Sequence, residues 1–245
     1  MSAIVMGSIS PLAIDRNTNE FYINPIESSE HADEVVFLVH GITRDNTDMA
    51  RLQQAFHRAG YTVVNWHYPS TQLSIPDIAE EFVAVIGKYV HKKRKLHFVG
   101  HSMGGIIIRY ALKDYKTDDA TLGRLVMIGT PNKGTYLADV LAQTKLYKML
   151  LGPAGQDLRS GDIGMCFRAP QPPLSFGVIA GGTGFPIGMN PMIHGDNDGI
   201  VAVSETYLPQ MDGFLLLPYL HRFLPLGKRT VEASVRFIQT GQFAE

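Results

Sequence analysis

Six short apolar runs, rich in β-branched and aromatic residues, recur along the chain and alternate with segments of helical periodicity. They are "EVVFLVH" at 34–40, "YTVVNW" at 61–66, "KLHFVG" at 95–100, "RLVMIGT" at 124–130, "LSFGVIAG" at 174–181 and "GFLLLPYL" at 213–220. Unbroken apolar runs of this length are typical of strands buried on both faces of a parallel sheet. Their alternation with helices predicts an α/β protein with a doubly wound, mostly parallel sheet. Ligands of such sheets bind beyond the carboxyl ends of the strands.

Length and composition favour one domain spanning residues 1–245. The chain is 45% hydrophobic and 18% charged, which is enough apolar material for one large core. A formal net charge of −1 provides no field that would favour a nucleic-acid partner. No apolar stretch reaches the roughly 18 residues of a membrane span. The single cysteine, Cys166, excludes an internal disulfide. The segment "MSAIVMGSIS" lacks the basic residues and the long apolar core of a secretory signal. We therefore predict a cytoplasmic protein.

Ser102 lies in the segment "FVGHSMGGIII", where glycines at 100, 104 and 105 surround it between a predicted strand and a predicted helix. Glycine destabilises both kinds of element, so three glycines here indicate a sharp turn across which larger side chains would clash. The pattern G-x-S-x-G between a strand and a helix is typical of a nucleophile elbow, in which the serine hydroxyl is presented on a sharp, strained turn. The alternative is a helix N-cap serine in a tight turn, which does not need glycine on both sides.

A serine hydroxyl needs a histidine base to act as a nucleophile at neutral pH. Of the nine histidines, only His194 and His221 follow Ser102, as the base does in this architecture. His221 directly follows the last strand-like run, which predicts its emergence at the same sheet edge as Ser102. We therefore assign the base to His221; His194 precedes both acids of the segment "HGDNDGIV" and breaks the chain order of serine, acid and base.

The acid that would orient the histidine belongs to the loop after "LSFGVIAG", where Asp196 and Asp198 are the first candidates. Asp198 is followed at once by Gly-Ile-Val, an apolar stretch that can anchor it, whereas Asp196 opens an Asp-Asn-Asp cluster typical of a turn. The pattern favours Asp198 and leaves Asp196 as the alternative. No further histidine or carboxylate cluster with ligand spacing joins these acids, so we expect no metal.

Two backbone amides are candidates for stabilising an oxyanion. Met103 follows the serine at a helix N-terminus, and Ile42 follows Gly41 in the segment "LVHGIT". His40 and His101 are interpreted as residues that shape these loops and not as second bases.

Residues 131–173 form a long excursion between two strands. Its segment "YLADVLAQTKLYKMLL" is consistent with a small cap over the site or with an ordinary helix packed on the sheet. The methionines at 149, 165, 189 and 192 are interpreted first as gap-filling core residues and second as the lining of an acyl pocket.

The segments "LVHGI", "GHSMGG", "GTPNKGT" and "DGIVAV" occur in an order that resembles the lipase-like α/β-hydrolases, particularly small bacterial lipases and the inositol-deacylase-like group. The resemblance covers roughly residues 34–225. It implies the α/β-hydrolase fold and hydrolysis of small-molecule or lipid-like carboxylic esters by Ser102, Asp198 and His221, with Ile42 and Met103 as the oxyanion hole and no cofactor. An acyltransferase with the same residues and a non-catalytic binding module on the same fold are the alternative functions.

Overall fold

The computed structural model describes residues 13–15, 20–23, 29–90, 94–118 and 120–243. The first ten residues, on which the expectation about a secretory signal rests, lie outside these ranges. The strands are β1 (Ala13–Asp15), β2 (Glu20–Ile23), β3 (Glu34–Val39), β4 (Thr62–Trp66), β5 (Arg94–His101), β6 (Ala120–Ile128), β7 (Ser175–Gly181) and β8 (Gly213–Leu217). The helices are α1 (Ala50–Arg58), α2 (Ile75–Tyr89), α3 (Met103–Ala111), α4 (Tyr136–Leu141), α5 (Lys145–Asp157), α6 (Val203–Thr206) and α7 (Lys228–Thr240).

All eight described strands form one sheet in the order β1-β2-β4-β3-β5-β6-β7-β8. The six predicted strands, β3 to β8, are all parallel to one another, and β1 and β2 extend one edge in antiparallel pairing. This order runs outward in both directions from β3, as a doubly wound sheet requires, so the predicted fold class is confirmed. The sequence analysis missed β1 and β2, which at three and four residues are too short to show a strand period.

The last predicted run is shorter in the structure than in the prediction. Strand β8 ends at Leu217, and not at residue 220, because Pro218 has no N–H with which to continue the ladder. His221 therefore does not leave the strand directly; it begins a short 3₁₀ helix, His221–Leu226.

Strand β3 shows why its apolar run is unbroken: successive side chains enter the two separate cores of the molecule. Val35, Phe37 and Val39 pack with α2 and α3 on one face, while Val36 and Leu38 pack with α1 and α7 on the other. All five are fully buried. The helices therefore cover both faces of the sheet.

Helix α2 follows its predicted apolar stripe. Ile78, Phe82, Val85 and Ile86 are buried, and Tyr89 packs against the same core. The helix begins after Ser74, whose hydroxyl accepts a hydrogen bond from the Asp77 amide at 3.3 Å, with Pro76 in the first turn. In the described residues no helix is long and apolar enough to cross a membrane.

The glycines around Ser102 allow close contact between α3 and the strands beneath it. A Cβ atom on Gly104 would lie 2.2 Å from the Val39 carbonyl oxygen, and one on Gly100 would lie 2.5 Å from the Gly105 nitrogen. A Cβ atom on Gly105 would lie 2.2 Å from Thr130 Oγ1. Because two of these neighbours are backbone atoms, a side chain at Gly100 or Gly104 would require the helix to move away from the sheet.

We expect Gly104→Ala to destabilise the protein by about 1 to 3 kcal/mol or more, because overpacking separates α3 from β3. Gly87→Ala is the matched control, since Gly87 is an exposed residue of α2 whose added Cβ would meet nothing within 4 Å. This control should stabilise the protein by about 0.5 to 1 kcal/mol, because alanine favours the helix. Urea unfolding monitored by circular dichroism measures both changes. Equal stability of the two variants would contradict the packing described here.

Candidate active site

Ser102 occupies the turn between β5 and α3 in a strained conformation. Its φ of 55° and ψ of −124° lie in a region that residues with a side chain rarely adopt. The Ser102 amide donates a hydrogen bond to the Ile128 carbonyl at 2.8 Å, which ties the turn to the end of the neighbouring strand β6. This geometry matches the predicted strand, turn and helix, and it presents the hydroxyl beyond the carboxyl ends of the strands.

His221 lies against Ser102 although 119 residues separate them. Its Nε2 is 2.9 Å from Ser102 Oγ, and its Nδ1 is 2.7 Å from Asp198 Oδ2. Because an ionised carboxylate can only accept, Nδ1 carries the proton and Nε2 is left to accept from the serine hydroxyl. A continuous hydrogen-bond chain therefore runs from the serine through the imidazole to the aspartate.

Asp198 is held by its own loop. It is almost completely buried, and its Oδ1 accepts hydrogen bonds from the amides of Ile200 at 3.1 Å and Val201 at 2.8 Å. Its backbone carbonyl accepts from the His221 amide at 2.9 Å. One carboxylate oxygen is thus fixed by the loop, which leaves the other directed at the imidazole.

Asp196 has a different role in the same loop. Its carboxylate accepts hydrogen bonds from the amides of Thr183 at 2.7 Å and Gly184 at 2.9 Å, so it closes the turn that follows β7. His194 is exposed. No cluster of three metal-ligating side chains occurs among the described residues.

The candidate oxyanion amides belong to two segments that meet at Ser102. Met103 is the first residue of α3, so its N–H has no acceptor within the helix. On the other side, a Cβ atom on Gly41 would lie 3.0 Å from Ser102 Cβ, which places the turn after β3 against the serine. In the described part of the chain, neither the Ile42 amide nor the Met103 amide donates a hydrogen bond to another group of the protein.

Two buried histidines lie beside this site, and their imidazoles form hydrogen bonds with backbone carbonyl groups. His101 Nε2 lies 3.1 Å from the His221 carbonyl oxygen, and burial holds the pKa of His101 well below its ordinary value. His40 stacks on Tyr68 with ring centroids 4.2 Å apart, and burial lowers the pKa of His40 to about 4. Both imidazoles are therefore neutral at neutral pH, and neither contacts the serine hydroxyl.

Sequence reasoning missed two residues that touch the turn after β3. The Tyr68 hydroxyl donates to the His40 carbonyl at 2.6 Å, and Ser70 Oγ accepts from the Thr43 amide at 3.0 Å. Both residues follow β4. The one sequence feature that could have placed them here is that polar residues after adjacent parallel strands meet at the same edge of the sheet. That signal requires the strand order, which the pattern of runs does not contain.

The excursion at 131–173 contains α4, α5 and a short 3₁₀ helix, Gly161–Ile163. Leu146, Met149 and Leu150 share one exposed face of α5. The prediction that these methionines fill gaps in the core is wrong for Met149 and Met192, which are 75% and 72% exposed. A cap over the site stays a prediction.

Part of the chain is similar to a known protein family. Residues 29–130 match the family model described as "Putative serine esterase (DUF676)". No match was found among curated proteins.

Solved structures resemble the chain over most of its length. The mature Bacillus licheniformis lipase BlEst2 is 21% identical, with 90% of this chain and 96% of that chain covered and a TM-score of 0.68. The Rhodococcus sp. esterase RhEst1 is 15% identical, with 92% and 96% covered and a TM-score of 0.56. The Legionella pneumophila phospholipase PlaB is 17% identical, with 71% and 45% covered and a TM-score of 0.54. These likenesses show that the chain has the α/β-hydrolase fold, and its residues 29–130 are similar to a family of putative serine esterases.

Proposed function

We propose that the protein hydrolyses carboxylic esters, lipid-like or of short acyl chains, through an acyl-enzyme on Ser102. The observation that carries the proposal is the hydrogen-bond chain from Ser102 Oγ to His221 Nε2 and from His221 Nδ1 to Asp198 Oδ2. The family model and the esterase and lipase structures support the coarser conclusion that the chain is a serine ester hydrolase.

In the first half-reaction, Ser102 Oγ attacks the ester carbonyl carbon while His221 Nε2 removes the hydroxyl proton. The tetrahedral intermediate then collapses, and His221 returns that proton to the departing alcohol. Water attacks the acyl-serine in the second half-reaction, with His221 again acting as base, which releases the acid and restores Ser102. Asp198 stays ionised and stabilises the imidazolium that forms in each half-reaction.

The amides of Ile42 and Met103 would bind the negative oxygen of each tetrahedral intermediate. Two properties support this role. Both N–H groups lack a protein acceptor among the described residues, and both are close to the serine in the chain or in space, since Met103 directly follows Ser102 and Gly41, which precedes Ile42, packs against Ser102. The positive end of helix α3 adds to the field at Met103. Such donors act mainly on charge that develops in the transition state, so they raise kcat more than they lower KM.

An acyltransferase is the alternative that uses the same groups, with an alcohol replacing water in the second half-reaction. A binding module without catalysis is less consistent with an oriented serine, histidine and aspartate. Comparing the release of free acid with the transfer of the acyl group to an added alcohol separates hydrolysis from transfer.

A fluorophosphonate probe should label one site per chain, because the activated Ser102 Oγ displaces fluoride from phosphorus. Ser102→Ala removes the nucleophile and should abolish labelling, which intact-mass spectrometry detects as the loss of the adduct mass. Ser175→Ala is a matched control, since Ser175 is an exposed serine that hydrogen-bonds Asp212 far from the turn. Stoichiometric labelling of the Ser102→Ala protein would refute the assignment.

Asp198→Asn should lower kcat by roughly 10³- to 10⁴-fold, because an amide no longer holds the imidazole in the required tautomer. Asp196→Asn is the matched variant in the same loop. It weakens the hydrogen bonds to Thr183 and Gly184, so it should lower the melting temperature while reducing kcat by less than about tenfold. Kinetics on a nitrophenyl ester with thermal melts measure both effects. The reverse ranking in kcat would transfer the orienting role to Asp196.

A further inference from the structure

The turn after β3 contains an unusual residue. Thr43 has a φ of 56°, in the left-handed region, although it is β-branched and its side chain is exposed. A β-branched residue in this region is a genuine outlier, and such strain persists only where the surrounding structure enforces it. Because the exposed Thr43 side chain gains little from packing, the reason for the strain lies in the backbone of the turn.

Two residues from the neighbouring loop hold this turn at both ends. Before Ile42, the Tyr68 hydroxyl donates to the His40 carbonyl at 2.6 Å. After Ile42, the Thr43 amide donates to the buried Ser70 hydroxyl at 3.0 Å. These two contacts belong to the turn after β4, and β4 is the parallel neighbour of β3.

His40 reinforces the first of these anchors. Its Nδ1 lies 2.9 Å from the Gly41 carbonyl, which can only accept, so Nδ1 carries the proton. Nε2 is then free to accept from the Tyr68 amide, at 3.4 Å. The neutral imidazole thus connects the two turns, and the stacked Tyr68 ring covers it.

We propose that Ser70 is a positioning residue for ester hydrolysis: its hydrogen bond keeps Thr43 left-handed and thereby fixes the Ile42 amide as an oxyanion donor. The inference rests on the proposed function. Ile42 lies between the two anchors, its N–H has no protein acceptor among the described residues, and the preceding Gly41 contacts Ser102. Without Ser70, Thr43 is free to relax to a negative φ, which changes the path of the chain directly after Ile42.

The test uses Ser70→Ala, with the rate of fluorophosphonate labelling of Ser102 and the kcat and KM of a nitrophenyl ester as readouts. We expect the labelling rate and kcat to fall about 10- to 100-fold, since misplacing a donor costs less than losing it, while KM changes by less than about threefold. Ser74→Ala is the matched control, because Ser74 also accepts a backbone N–H, as the N-cap of α2, without touching the turn. It should lower the melting temperature by a few degrees and leave kcat within about twofold.

A second variant separates positioning from general structural damage. Glycine adopts positive φ without strain, so Thr43→Gly removes the tendency of the turn to relax. The double variant Thr43→Gly with Ser70→Ala should therefore recover about tenfold of the kcat lost in Ser70→Ala, although it contains one more substitution. Tyr68→Phe deletes the hydrogen bond to the His40 carbonyl and keeps the ring. It should show the same fall in kcat at nearly constant KM. This variant tests the inference if Ser70→Ala does not fold.

The outcomes distinguish this inference from the proposed function. Suppose that the wild-type protein is active and labelled. If kcat of Ser70→Ala then equals that of Ser74→Ala, or kcat of the double variant does not exceed that of Ser70→Ala, the positioning role of Ser70 is wrong and the proposed hydrolase function still stands. If the wild-type protein is neither labelled at Ser102 nor active on any ester, both proposals are overturned.

Discussion

At its first turn, helix α3 approaches strands β3 and β5 so closely that no side chain fits at Gly100 or Gly104, and the candidate site depends on this contact. Gly100 and Gly104 are the positions where the backbones meet. The contact forces the chain from strand to helix within one residue, and that residue, Ser102, takes up the strained conformation. The same contact aligns the N-terminus of α3 beside the serine hydroxyl, so one packing constraint positions the hydroxyl, the Met103 amide and the helix dipole together.

Parallel topology brings the remaining groups to the same edge. Every strand from β3 to β8 ends on that side of the sheet, so the loops after β3, β5, β7 and β8 supply Ile42, Ser102, Asp198 and His221 respectively. These loops are joined by backbone hydrogen bonds as well as by side chains. The His221 amide binds the Asp198 carbonyl, and His101 binds the His221 carbonyl, so the histidine is held at its backbone before its imidazole makes any contact. A preorganised site of this kind needs little rearrangement during a reaction.

The six parallel strands and the serine turn could be predicted because their signals are local. Buried parallel strands are apolar on both faces, and a turn without room for side chains requires glycines at fixed positions. The sequence pattern favoured Asp198 but left Asp196 open, because only the folded loop shows that the Asp198 carboxylate lies 2.7 Å from His221 Nδ1 while loop amides hold its other oxygen. The contacts of Tyr68 and Ser70 with the turn after β3 could not be predicted for a related reason. They depend on β4 lying beside β3, which is a property of the tertiary structure.

In the proposed mechanism Ser102 Oγ becomes acylated, and pre-steady-state kinetics with a nitrophenyl ester test this step most directly. Where deacylation limits the rate, rapid mixing should release a burst of one nitrophenolate per chain before slower turnover. Protein quenched with acid during the reaction should carry one acyl group on the peptide that contains Ser102. Slowly deacylating esters of bulky acids extend the lifetime of the intermediate. Turnover of these esters with no acylated chain, or with the acyl group on a residue other than Ser102, would contradict the account.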